Sequence, residues 1–298
     1  MKPVAFDYTR PANLADAMQI LSGDSGVKPI AGGQSLGPML NLRLARPGAL
    51  VDVSRLPELL SIGETAQSVT LGACVTHAAI EDGETPEPMG GFIRHVAGGI
   101  AYRVIRNKGT LGGSLAHADP AADWLTALTA ADATLTIARP RAANEAPKSI
   151  FDQFRRKPGE RPSAIAFRKI DIRRFVVGAY TTALKADELL VSVEIRKASS
   201  SVRWGYDKFC RKVGELSDAI GAVVIDPERR YARVVAGSVG GAPLLLEKAA
   251  RRLATTASAP TLADILDEVA SLSPRIEAVK RQHVAVCVER AIQEALRP

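Results

Sequence analysis

Two glycine-rich stretches carry the residue types best suited to holding an anion. Ala31-Gly32-Gly33-Gln34-Ser35-Leu36-Gly37-Pro38 follows the short apolar run Pro29-Ile30, which reads as a strand end. Asn107-Lys108-Gly109-Thr110-Leu111-Gly112-Gly113-Ser114 repeats that composition further along. Glycine lets the backbone take positive φ and leaves no side chain in the way, so successive N–H groups can converge on a phosphate. Two such loops suggest one extended phosphate-bearing ligand held from both sides. The plain rival is a pair of ordinary turns. Neither stretch matches G-x-x-x-x-G-K-[ST], nor G-x-G-x-x-G followed by an acidic residue at the proper distance, so the P-loop and Rossmann readings fail.

Other chemistry-bearing residues are sparse. The three cysteines, Cys74, Cys210 and Cys287, lie far apart with no CxxC spacing, which excludes a disulfide framework and a zinc or iron–sulfur ligand set. They read as buried small hydrophobes. His117 stands beside a turn, and no second His or carboxylate is placed to complete a metal set. His77 and His95 are weaker candidates, and His283 falls on a helical stripe with Ile276, Val279 and Val286, which reads as packing. No catalytic residue and no metal ligand is expected. The net charge of +7 gathers in Arg155-Arg156-Lys157, Arg168-Lys169, Arg173-Arg174 and Arg211-Lys212. Aromatics make up only 5% and no nucleic-acid signature is present, so a solvated face or an acidic protein partner explains the charge better.

A chain of 298 residues, 46% hydrophobic and 24% charged, can bury sizeable cores as one large or two medium domains. No apolar leader run follows the start MKPVAFDYTRP and no run reaches membrane-span length, so a cytoplasmic protein is expected. Asn13 can cap a helix whose Leu14, Ala17, Met18 and Leu21 recur at helical spacing. Leu50 to Val53 and Ser68 to His77 alternate like strands, and Ala78 to Ala101 reads as partly helical. Asp119 and Pro120 sit where N-cap and N1 of a helix running to about Ala131 would fall. Thr134 to Ala138 reads as a strand and Arg139 to Ser149 as an exposed loop. From Leu189 the pattern becomes strands (Leu189 to Ile195, Val202 to Lys212, Ala219 to Ile225, Tyr231 to Ser238), then helices beginning near Ala242, Leu262 and Pro274. That order is typical of an α+β layer.

The ordered set FDYTRP, AGGQSLGPMLNLRLARP, NKGTLGGSLAHADPAAD, ELLVSVEI and WGYDKFCRKVG resembles the FAD-binding medium subunit of molybdenum hydroxylases, a family including xanthine and carbon monoxide dehydrogenases. The likeness spans essentially the whole chain. The run Ile100 to Arg106 departs from the family's more uniform sequence, and the tail Arg275 to Arg290 matches loosely. The resemblance implies an α+β protein of PCMH-type FAD-binding fold: two α/β subdomains, about 1–55 and 56–175, and a C-terminal α+β domain, 176–298, with strands followed by helices. It implies noncovalent FAD, with Ala31, Gly32, Gly33, Gln34, Ser35 and Leu36 as one pyrophosphate loop. Thr110, Leu111, Gly112, Gly113 and Ser114 would form the second, with hydroxyls from Thr110 and Ser114. Asp123 would accept hydrogen bonds from FAD, although it also suits the first turn of its helix. Ile100, Leu190 and Lys208 would reach the cofactor, and Tyr206 either lies over the flavin or is a core aromatic. Molybdopterin and 2Fe-2S clusters would belong to a large and a small partner subunit. The implied activity is oxidoreductase electron transfer from those clusters to an external acceptor. A stand-alone FAD oxidoreductase and a non-enzymatic nucleotide-binding module are the alternatives.

Overall fold

The computed structural model describes residues 2–23, 26–141, 165–256 and 258–297. The first layer is a parallel sheet in which β3 (Ala49–Asp52) lies between β1 (Asp7–Thr9) and β2 (Val27–Ile30). Parallel neighbours need crossovers. The helix Leu14–Gly23 supplies one, burying Leu14, Ala17, Met18 and Leu21 as their spacing predicts. Asn13 Oδ1 accepts the Asp16 amide at 2.9 Å. The first glycine loop and the helix Leu36–Asn41 supply the other crossover.

The second layer is an antiparallel sheet of β4 (Ile62–Glu64), β5 (Ser68–Gly72), β10 (Leu189–Arg196), β6 (Thr134–Pro140) and β7 (Ile165–Asp171), in that spatial order. Here the structure corrects the sequence reading. Leu189–Arg196, expected to lead the C-terminal strands, is the central strand of this sheet and pairs with β5 on one side and β6 on the other. This strand therefore belongs to a sheet whose other strands all precede it in sequence. Pairing partners far apart in sequence leave no local trace.

The third layer runs β11 (Arg203–Phe209), β12 (Ala219–Asp226), β13 (Tyr231–Gly237) and β14 (Leu244–Leu245), with three helices after it. Those helices are Glu247–Thr256, Leu262–Leu272 and Ala278–Leu296, so two of the expected starts move forward by a few residues. Every residue of β12 is buried, between the last helix and the helix Asp123–Ala130. The last helix presents Val284, Cys287, Val288, Ala291 and Ile292 inward, whereas Val279 is 68% exposed, so the stripe expected through His283 is not the core face. His283 instead packs on the Phe209 ring, centroids 4.9 Å apart.

The helix Asp123–Ala130 is the pivot between layers. All eight of its residues are buried, the polar Asp123, Thr126 and Thr129 among them. It begins later than Asp119-Pro120 suggests. Asp119 uses its carboxylate on the Ala121 amide (2.9 Å) and its carbonyl on the Ala122 amide (2.9 Å), which closes a turn and leaves Ala122 extended as the N-cap. Asp123 consequently occupies the first helical position.

Much of the basic charge is matched within the chain. Arg168 grips Glu188 with two hydrogen bonds of 2.8 and 2.6 Å, Arg173 grips Asp171, and Lys169 pairs with Glu194. Arg155 to Lys157, and most of the loop expected at Arg139 to Ser149, lie outside the described residues.

Candidate functional site

A cleft of about 1100 Å³ opens where the three layers meet. That is slightly above the roughly 300–1,000 Å³ usual for small-molecule sites. Ala31 to Leu36 line one wall. Gly33 has φ of +68°, a left-handed turn that glycine takes without strain. The loop's carbonyls are engaged: Gly33 O accepts the Gly37 amide at 2.8 Å, and Gly32 O accepts the Gln34 side-chain amide at 2.9 Å. Its amides are not. Among the described residues the N–H groups of Gly32, Gly33, Gln34 and Ser35 have no partner. Four consecutive open donors beside a cleft suit an anion with several acceptor oxygens.

The second loop works differently from the expected repeat. Its amides are largely consumed: Leu111 N donates to Val75 O (3.0 Å), Gly112 N to Ala73 O (2.8 Å) and Gly113 N to Thr110 Oγ1 (3.1 Å). Thr110 caps the helix Leu111–His117. Gly112 is needed for packing, since a Cβ there would stand 2.4 Å from Ala73 Cβ. What this wall offers the cleft is the Thr110 and Ser114 side chains. Leu111 is fully buried and faces the core. The two loops touch directly: a Cβ on Gly32 would lie 1.9 Å from Lys108 O.

Asp123 lines the cleft and is 7% exposed. Its Oδ1 accepts both the Tyr206 hydroxyl and the Lys208 ammonium, each at 2.7 Å. Tyr206 and Lys208 are two apart on β11, so both side chains leave the same face of the strand. Lys208 also donates to Gly99 O at 2.7 Å, and the Tyr206 amide is tied to Glu294 at 2.9 Å. With Oδ1 used twice, Oδ2 has no partner among the described residues. Tyr206 and Lys208 thus stand behind Asp123 and do not line the cleft. Tyr206 is 8% exposed, with its ring edge-on to Phe92 and His95 at 6.3 and 6.1 Å. Burial, then the Asp123 carboxylate, pushes its phenol well above the usual value, so it stays a donor. Ile100 and Leu190 supply apolar wall.

Sequence reasoning passed over the cleft residues Lys28, Arg46 and Lys185; Cys74, read as a buried small hydrophobe, and His77, a weaker candidate, line the cleft too. Burial, then the nearby Asp52 charge, pushes the Cys74 thiol up to about 12, which keeps it protonated and inert. Thr76 caps the helix His77–Glu81 and so sets His77 against the second loop. His77 Nδ1 accepts the Trp124 indole N–H at 3.0 Å. Burial, then the Arg106 charge, lowers its pKa to about 4. The cap signal at Thr76 was legible in sequence, but the Trp124 contact, 47 residues away, was not. His117 also reaches the cleft, its ring tilted against Tyr180 with centroids 5.3 Å apart.

Residues 4–166 match the model of the FAD binding domain in molybdopterin dehydrogenase. The chain is 33% identical to the 6-hydroxypseudooxynicotine dehydrogenase complex subunit alpha of Paenarthrobacter nicotinovorans, over 81% of this chain and 74% of that protein. It is 34% identical to the nicotine 6-hydroxylase medium subunit of the same organism, over 81% and 76%. A chain of reconstituted CO dehydrogenase from Oligotropha carboxidovorans superposes with a TM-score of 0.82 at 28% identity, covering 99% of both chains. Open amides, a free carboxylate oxygen and a cleft of this size suit the dinucleotide that such a domain binds. The chain belongs to the FAD-binding subunits of the molybdenum hydroxylases, the family of the FAD binding domain in molybdopterin dehydrogenase.

Proposed function

We propose that the amides of Gly32, Gly33, Gln34 and Ser35 hold the FAD pyrophosphate, with Thr110 and Ser114 adding hydroxyls from the facing wall. Asp123 Oδ2 accepts from a sugar hydroxyl, while Tyr206 and Lys208 fix and neutralise its carboxylate from behind. Ile100 and Leu190 offer apolar surface to the ring system, and Lys28 and Arg46 add positive charge to the cleft. The observation that carries this reading is the run of four unpartnered amides sharing one cleft with the unpartnered Asp123 oxygen. When bound, FAD would supply the redox centre that takes electrons from 2Fe-2S clusters of a small partner subunit and gives them to an external acceptor. The organic substrate would be oxidised on a large molybdenum subunit. This chain's own work is to bind FAD, orient it and exclude water around it. Among the described residues no group of three or more His, Cys, Asp or Glu is placed to hold a metal, and no helix is long and apolar enough to cross a membrane.

Co-expression with the adjacent reading frames, followed by affinity purification of the tagged chain, tests the assembly. Recovery of FAD, molybdenum and iron together supports it. A metal-free flavoprotein that oxidises a small organic substrate by itself would instead favour a stand-alone oxidoreductase.

A further inference from the structure

His77 is 5% exposed, yet it lines the cleft. Its two ring nitrogens have separate fates. Nδ1 accepts the Trp124 indole N–H at 3.0 Å, and Trp124 can only donate. A neutral imidazole that accepts at Nδ1 must carry its proton on Nε2. The ring stays neutral near pH 7 because burial, then Arg106, holds its pKa at about 4. Nε2–H is therefore a donor with fixed orientation. Among the described residues nothing accepts from it. Nε2 is not among the side-chain atoms sealed from solvent without a partner, so a ligand or water in the cleft can reach it and supply the acceptor. The ring lies directly under the second loop: a Cβ on Gly109 would stand 2.9 Å from both Cδ2 and Nε2, and the His77 amide donates to Gly109 O at 3.0 Å. Thr110, the next residue, is the hydroxyl assigned above to phosphate.

We infer that His77 is a further FAD-binding residue, a neutral N–H donor to the pyrophosphate from beneath the second loop, with Trp124 as the positioning residue that fixes its tautomer. This rests on the FAD reading above. It gives the second wall, whose amides are spent, a directed donor of its own. A neutral donor adds direction without the like-charge repulsion that a buried imidazolium would meet from Arg106.

The test is titration of the purified, flavin-depleted chain with FAD and with ADP, which shares the pyrophosphate but lacks the flavin. His77→Leu is expected to weaken both ligands about tenfold, the scale of one lost buried hydrogen bond. Trp124→Phe alone is expected to weaken them about threefold, and to add nothing in the His77→Leu background, because it acts only through His77. The double variant also removes the orphaned indole donor, so it remains informative if His77→Leu alone folds poorly. Additive effects of the two substitutions, or FAD and ADP binding within twofold of wild type in the double variant, overturn the assignment. Loss of FAD with ADP unaffected overturns it too. Wild-type protein that takes up neither ligand overturns the FAD reading itself.

Discussion

Gly32, Gly33 and Gly37 sit in one loop and read alike in sequence, but the structure gives each a different cost for an added methyl. A Cβ on Gly32 would lie 1.9 Å from Lys108 O and 2.6 Å from Lys108 C, both backbone atoms. Real Cβ contacts essentially never fall below 3.0 Å, so the loops must part by at least 1.1 Å (3.0 − 1.9). Lys108 cannot yield freely, because the turn around it is tied by Gly109 N to Ile105 O at 2.7 Å and by Gly109 O to the His77 amide at 3.0 Å. Overpacking costs about 1–3 kcal/mol, and a clash with backbone belongs in the upper half. The free protein can relieve it by letting the loops separate, whereas FAD requires them together, so the cost falls on binding. For Gly32→Ala we expect FAD affinity to drop about 30- to 150-fold, at roughly tenfold per 1.4 kcal/mol. Gly33→Ala meets only the Ile30 side chain at 3.5 Å, and its cost of about 1–2 kcal/mol comes from the left-handed φ of +68°. Gly37→Ala has nothing within 4 Å and lies in a helix, so it should bind FAD normally and be slightly more stable. FAD fluorescence titration of the three variants, with melting temperatures of the flavin-free forms, decides it. Gly32→Ala binding FAD within twofold of wild type, or Gly37→Ala proving the most damaging, would refute the loop contact.

Three further outcomes are expected. Because the folded His77 pKa of about 4 lies below the ordinary 6.5, the unfolded chain binds that proton more tightly. Stability should therefore fall as pH drops from 6.5 towards 4, by up to about 3 kcal/mol, and urea unfolding of His77→Leu should lack that part of the slope. Lys208→Met strands the buried Asp123 carboxylate and should lower stability by about 3 kcal/mol in the flavin-free protein, whereas Tyr206→Phe, which removes one neutral donor, should cost about 1 kcal/mol; equal costs in thermal unfolding would show that the ion pair is unimportant. Acid precipitation of the holoprotein should leave the flavin in the supernatant, because the cleft-lining Cys74 is held as a thiol; flavin retained in the pellet, with its mass on a peptide, would show a covalent link.

The sequence by itself determined what short-range physics controls. The helix Leu14–Gly23 follows from an Asn cap and a 3.6-residue apolar repeat, and both are complete within ten residues of chain. The first glycine loop was legible as a strand end followed by glycines and a serine, a composition it shares with ordinary turns. The order of strands then helices after β11 was equally local, as was the set of motifs that marks the family. What only the tertiary structure decided are relations between distant segments. The second glycine loop has nearly the same composition as the first, yet Ala73 and Val75, just after β5, and the loop's own Thr110 take up its amides, so the two loops became an amide wall and a hydroxyl wall. Leu189–Arg196 reads as a strand anywhere, and only its insertion between β5 and β6 placed it in the middle layer. Asp119-Pro120 looked like a helix start until the Asp119 side chain closed a turn on Ala121 instead, moving the start to Asp123. Tyr206, Lys208 and Asp123 are ordinary residues in their own segments, and converge because β11 brings two side chains to the first residue of the Asp123–Ala130 helix. His77 gained its fixed tautomer from Trp124 in the same way. Caps and periodicities are written in neighbouring residues, whereas whether an amide or an imidazole nitrogen is left open for a ligand depends on which distant group has already claimed its neighbour.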